Sequence, residues 1–190
     1  MDLKKKIYEH INAIKDVKKL SPKIQNAIDK IYLSIKNNNK ILICGNGGSA
    51  ADAQHLTAEF LVRLKPEINR KPIPIINLVS DTSTLTACSN DYSFTKIFAR
   101  NLKAFGNKDD VLISISTSGN SKNIIEVLKE SKKKNIFSIS FLGNKGGLAK
   151  KFSDLPLIVN SKNTATVQEA HIFLGHHIFE NVEKKLFKGK

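Results

Sequence analysis

No segment of the chain offers the roughly 18 consecutive apolar residues of a membrane-spanning helix, so no span is expected. Cysteine is nearly missing: Cys44 and Cys88 are the only two, and their separation matches no metal-ligand spacing. That excludes a disulfide-stapled scaffold and fits free thiols in a reducing cytoplasm. The first residues, Met1-Asp2-Leu3-Lys4-Lys5-Lys6, run into mixed polar and apolar sequence rather than the apolar heart of a secretion signal, which points to the same compartment. Acidic residues are short as well, 17 against 31 basic ones, leaving a formal charge of +14. Such an excess invites a nucleic-acid reading. Arginine, however, occurs only as Arg63, Arg70 and Arg100, and no helix-turn-helix, zinc-finger or aromatic-interleaved basic motif is present. Base-reading modules lean on arginine's two-pronged contacts. The surplus here is lysine, suited to solvated helix faces and to attracting a small anion, and no nucleic-acid partner is expected.

What the chain does have is apolar material, 41% of 190 residues, enough for one sizeable core, and no repeat, linker or low-complexity block divides it. The expectation is a single domain over 1–190, with a helical extension at 1–38 and an α/β core at 40–190. In the extension, Ile7, Ile11 and Ile14 recur at helical spacing, and Ile24, Ala27, Ile28, Ile31 and Ile35 do so after Ser21-Pro22. Five short apolar runs follow, at 40–44, 73–78, 111–115, 136–142 and 155–159, which read as strands. Helical patterns near 49–64, 81–104, 121–134 and 145–152 alternate with them, and 165–187 reads as one long final helix. Strands apolar on both sides, alternating with helices, predict a three-layer α/β sandwich with a five-stranded, mostly parallel sheet. The apolar faces of the N-terminal helices exceed what so modest a sheet covers, which suggests that they build an oligomer.

Ligands of such sheets bind beyond the carboxyl ends of the strands, and three loops there stand out. Gly45-Asn46-Gly47-Gly48-Ser49 lets backbone amides approach a ligand at a helix start that favours negative charge. Gly45, Gly47 and Ala50 also satisfy Gly-x-Gly-x-x-Ala, but a dinucleotide fold needs a second strand ending in an acidic residue about 20 positions on. Here the next strand runs to Leu78, and that reading fails on spacing. The second loop, Ser114-Ile115-Ser116-Thr117-Ser118-Gly119-Asn120-Ser121, sets a run of hydroxyls at a helix start. Capping explains one or two of them; a phosphate site explains Ser116, Thr117, Ser118 and Ser121 together. No Gly-Lys-Ser/Thr motif is present, which argues against nucleotide triphosphates. Gly143-Asn144-Lys145-Gly146-Gly147 reads as a plain turn, Ser80-Asp81-Thr82-Ser83 as a capped helix start, and Asn90-Asp91 as a break between helical stretches.

The histidines sharpen the picture. His10 sits on the lysine-rich first helix and reads as a solvated residue. His55 and Glu59, four apart, share a helix face two turns past the glycine loop. Gln168, His171, His176 and His177 lie on the final helix. Gln168 and His176 fall near one face but about 12 Å apart along the axis, an awkward span for a single site in one chain. An imidazole and a carboxylate on one face suit proton transfer or metal binding.

Taken in order, these blocks carry a resemblance: Gly45–Ser49 with Ala53-Gln54-His55 and Glu59, then Asn90-Asp91 with Phe94, Ser116–Ser121, and Gln168-Glu169 with His171 and His176. From about residue 40 to the C-terminus the chain resembles the phosphoheptose isomerases of the sugar-isomerase (SIS) domain family. The resemblance implies a cytoplasmic homotetramer with sites at subunit boundaries and one Zn2+ per subunit. It implies interconversion of sedoheptulose 7-phosphate and D-glycero-D-manno-heptose 7-phosphate through an enediol, the first step toward heptose for lipopolysaccharide core or capsule. By position it gives Asn46, Gly47, Gly48, Asn90, Asp91, Ser116, Thr117, Ser118 and Ser121 to the sugar phosphate, together with Glu59 and Gln168. His55, Glu59, Gln168 and His176 correspond to metal ligands, and Glu59 and His176 to the acid/base pair. Two other readings remain at this point. Some SIS-domain proteins bind a replication initiator without catalysis, and others act on or sense other phosphosugars. Retention of Glu59 and His176 speaks against a binding-only relative.

Overall fold

A computed structural model describes residues 2–78 and 81–187. The chain opens with α1 (Leu3–Val17), whose first turn Asp2 caps by accepting from the Lys4 N–H, and α2 (Ser21–Lys36), which carries Pro22 in its first turn. The core then alternates: β1 (Ile41–Gly45), α3 (Gly48–Leu61), β2 (Ile75–Asn77), α4 (Thr82–Asp91), α5 (Ile97–Phe105), β3 (Val111–Ser116), α6 (Lys122–Lys133), β4 (Phe137–Gly143) and β5 (Leu155–Val159). The last element is the 24-residue helix α7 (Thr164–Phe187).

The five strands form one sheet in the order β2-β1-β3-β4-β5, and every neighbouring pair is parallel. Period-two alternation divides the strand side chains between two cores. Ile41, Ile43, Val111, Ile113, Ile115, Ile139 and Phe141 meet α2, α3 and α7 on one face. Leu42, Cys44, Leu112 and Leu142 meet α4, α5 and α6 on the other. Both faces are covered, as strands apolar throughout require. Cys44 and Cys88 are buried, free thiols within the second core. Among the described residues no helix is long and apolar enough to cross a membrane.

Three expected elements differ. The run 81–104 is two helices, because the chain leaves helical geometry at Tyr92, turns extended at Ser93 and passes through a short 3-10 turn, Phe94–Lys96. The helix expected over 145–152 shrinks to the 3-10 turn Ala149–Lys151, since Gly146 and Gly147 adopt φ of 86° and 54°, incompatible with a right-handed helix. The strand expected over 73–78 is confined to Ile75–Asn77: Pro74 has no N–H for the ladder, and the Ile73 N–H goes to the Phe60 carbonyl instead. In the predicted cap at 80–83, Ser80 lies outside the described residues, and Asp81 does the capping by accepting from the Ser83 and Thr84 N–H groups. α2 buries Ile24, Ala27, Ile28 and Ile31 and half-buries Ile35, whereas α1 leaves Ile7 and Ile11 exposed.

Candidate active site

β1 and β3 lie side by side, and the chain runs outward from them in opposite directions, which makes their carboxyl ends the crevice of the sheet. Gly45 pairs in register with Ile115, so the glycine loop and the hydroxyl loop emerge next to each other. Gly47 takes φ 55° and ψ −123°, a conformation that strains any residue with a side chain. A Cβ on Gly48 would collide with the Gln168 side-chain amide, so α7 crosses close to the start of α3. The residues at the N-cap positions, Gly47 of α3 and Ser121 of α6, make no side-chain capping bond, and although Asn123 Oδ1 takes the Ile124 N–H, other first-turn N–H groups of both helices face this edge. Within the hydroxyl loop, Ser116 Oγ accepts from the Gly119 N–H at 3.1 Å and lies 3.4 Å from Ser121 Oγ, and Ser118 Oγ accepts from the Asn120 N–H at 3.2 Å. These bonds shape a nest of amides and hydroxyls suited to a phosphate. Asn46 and Asn123 exchange side-chain amide bonds of 2.9 and 2.8 Å and tie the two loops together. Asn123 went unnoticed in the sequence; nothing local marks it out. Asn90 donates to Asp91 at 2.9 Å at the exposed end of α4.

Further down α3 the sharper chemistry appears. His55 Nε2 lies 3.2 Å from Glu59 Oε1 and 2.8 Å from His176 Nε2 of α7. The donor atoms of His55, Glu59 and His176 all fall within 4.8 Å of one another. Two imidazole nitrogens this close must share a proton, or both must turn lone pairs on a cation, and a carboxylate beside them favours the cation. Three such ligands suit zinc or a similar divalent ion. Burial lowers the pKa of His176, as does the neighbouring His55, while Glu59 pulls the other way. The ring is therefore biased toward the neutral form that can accept a proton or ligate a metal.

Gln168, by contrast, rests against Gly48, about 12 Å along α7 from His176. Along α3, His55 and Glu59 stand about 10 and 16 Å from Gly48. The sequence places anion site and proton chemistry in one stretch; the fold separates them along a helix. Two further residues escaped the sequence reading. Asp52 lies one turn before His55 on the same helix, is buried with Oδ2 unpaired, and has its pKa pushed up to about 6 by burial against a small opposing effect of His55. Arg70, in the loop after α3, is fully enclosed and paired with Glu183 of α7. His10 Nδ1 donates to Glu169 Oε2 at 2.7 Å, so it is half-exposed but not free.

The SIS domain profile matches residues 7–143. The phosphoheptose isomerase of Clostridium acetobutylicum is 49% identical over 167 residues, covering 88% of this chain and 84% of that protein. The chain belongs to the phosphoheptose isomerase family of SIS domain proteins. A Helicobacter pylori member is 43% identical across 96% of this chain and 94% of its own length. The solved phosphoheptose isomerase of Neisseria gonorrhoeae superposes with a TM-score of 0.89 at 36% identity, covering 96% of this chain and 97% of that one. The family fold therefore accounts for the helical N-terminus, the parallel sheet and the long α7 alike.

Proposed function

We propose that this family member interconverts sedoheptulose 7-phosphate and D-glycero-D-manno-heptose 7-phosphate through an enediol, supplying a heptose precursor for lipopolysaccharide core or capsule. One observation carries the reading most: a carboxylate and two imidazoles, brought together from α3 and α7. Shifting a carbonyl between C1 and C2 requires a base at carbon and a proton carrier between the two oxygens. Glu59 takes the carbon-bound proton and returns it on the neighbouring carbon; His176 moves the proton between hydroxyl and carbonyl oxygen. The backbone amides of Gly47 and Gly48 and the side chains of Asn46, Asn90, Asp91 and Gln168 hold the sugar, while Ser116, Thr117, Ser118 and Ser121 bind the phosphate. His55, Glu59, His176 and Gln168 are assigned one Zn2+ per subunit, and the ion, when bound, supplies positive charge for the enediolate oxygens.

The separation of Gln168 and of the phosphate loop from the triad along α3 and α7 supports a site shared between subunits of a homotetramer. We read the enzyme as cytoplasmic, a single domain, and without a nucleic-acid partner. In mixed tetramers of Gln168→Ala and His176→Ala chains, random assortment leaves roughly a quarter of shared sites intact, and activity returns to about that level. If no mixture regains activity, the site is not shared in this way. The function itself is tested by assaying a panel of phosphosugars with and without chelator. Sedoheptulose 7-phosphate is expected to turn over, and more slowly after chelation; no turnover of it overturns the reading.

A further inference from the structure

The Arg70 side chain is fully enclosed, its guanidinium lies over the Phe187 ring, and among the described residues it makes four hydrogen bonds. Nε donates to Glu183 Oε1 of α7. Nη2 donates to the backbone carbonyl of Glu59 at 2.8 Å, and Nη1 to those of Phe60 at 2.9 Å and Lys71 at 3.1 Å. The last carbonyls of a helix have no partner within it. At the end of α3, Ala58 is served by the Val62 N–H, Phe60 by the Ile73 N–H together with this arginine, and Glu59 by the arginine. The residue whose backbone it grips is the one whose carboxylate meets His55. Its counter-charge comes from α7, where Glu183 lies seven residues after His176, two turns further on the same face.

Between these anchors the helices are packed closely. Phe60 and Phe179 stack with centroids 3.7 Å apart, and a Cβ on Gly175 would come within 2.6 Å of Leu56. As a device for stability alone, the ion pair is poorly built. Both charges are removed from water, and Glu183 Oε2 has no hydrogen-bonding partner among the described residues. Buried pairs of this kind often add little to stability over apolar replacements. What the pair does join is the end of α3, through the Glu59 and Phe60 carbonyls, to α7 through Glu183.

We propose that Arg70, locked by Glu183, is a positioning residue that sets the Glu59–His176 geometry by clamping the end of α3 to α7. This rests on the assignment of Glu59 and His176 as the acid/base pair. The test is the double variant Arg70→Met with Glu183→Leu, which removes both charges and leaves no orphan, beside Arg70→Lys alone. With the double variant folded, kcat for sedoheptulose 7-phosphate is expected to fall about 10- to 100-fold with KM within about twofold, because misplacement by an ångström costs that much. Zinc affinity, read by competition with a chromophoric chelator, falls about tenfold. Arg70→Lys, which keeps the charge but holds fewer carbonyls, recovers part of both. Wild-type kcat and zinc affinity in the folded double variant overturn the proposal. Should it not fold, Arg70→Lys decides: a folded lysine variant with both values unchanged is the contrary result. If the native enzyme neither isomerises the substrate nor binds zinc, the functional reading has failed, and the clamp is judged on a crystal structure of the variant. Donor atoms of His55, Glu59 and His176 still within 4.8 Å there would refute it.

Discussion

Glu59→Gln is expected to lower isomerase turnover about a thousandfold while leaving the fold intact. Glutamine keeps the shape of the side chain, so the packing of α3 on α7 through Phe60 and Phe179 is untouched. What is lost is the negative charge and with it the ability to take a proton from carbon. A positioned general base contributes roughly 10²- to 10⁴-fold, and the amide is also a poorer metal ligand than the carboxylate. The loss should fall on kcat more than on KM, since a base acts in the transition state. Exchange of the substrate's C–H with deuterium oxide, followed by proton NMR, reads the same step directly and should vanish with turnover. His176→Asn should cost a similar factor, and the double variant little more than the worse single one, as groups that act as a unit are not additive. Turnover of folded Glu59→Gln within tenfold of wild type would remove Glu59 from the chemistry and leave the enzyme without an evident base.

The inner strands were legible because burial on both faces writes itself as apolar runs: Val111–Ser116 is buried throughout, whereas the edge strand Leu155–Val159 half-exposes Pro156 and Ile158 and was readable from its short apolar run alone. The errors came from single atoms that a pattern does not weigh. The missing N–H of Pro74 shortened one strand, and the positive φ of Gly146 and Gly147 dissolved a helix. At the site, the i, i+4 spacing of His55 and Glu59 was readable as one helix face. That His176 would meet them was not readable from spacing, since the parallel docking of α3 on α7 is decided by Gly48 against Gln168, Leu56 against Gly175 and Phe60 against Phe179. These pairs lie more than a hundred residues apart in the chain. Arg70 and Glu183 were invisible for the same reason, one in an irregular loop and the other in a lysine-flanked helix end that reads as solvated surface.

A second large effect concerns stability, and it comes from His171. The ring is completely buried on α7 beside Phe141, and among the described residues neither nitrogen has a well-formed hydrogen bond. Burial drives its pKa down from 6.5 to about 4, against a weak opposing influence of the Leu142 carbonyl. The unfolded chain thus binds a proton that the folded one refuses between those two values. Stability from this group is fully present above about pH 6.5 and is lost as pH falls toward 4, with no further loss below. At about 1.4 kcal/mol per unit, the full window amounts to about 3 kcal/mol, and the step from pH 7.5 to 5 to about 2 kcal/mol. Asp52 acts in the opposite direction: its pKa, raised to about 6, means that a penalty present above that value is relieved as pH falls. The wild-type curve is a sum of such effects, so the difference from His171→Leu isolates the histidine. Urea unfolding of both proteins at pH 7.5 and 5 should show the variant gaining about 2 kcal/mol on wild type over that interval. At pH 7.5 leucine should cost little, because it removes two buried nitrogens that make no well-formed hydrogen bond. Parallel losses in the two proteins would mean that the imidazole is protonated, or reached by water, in the native state.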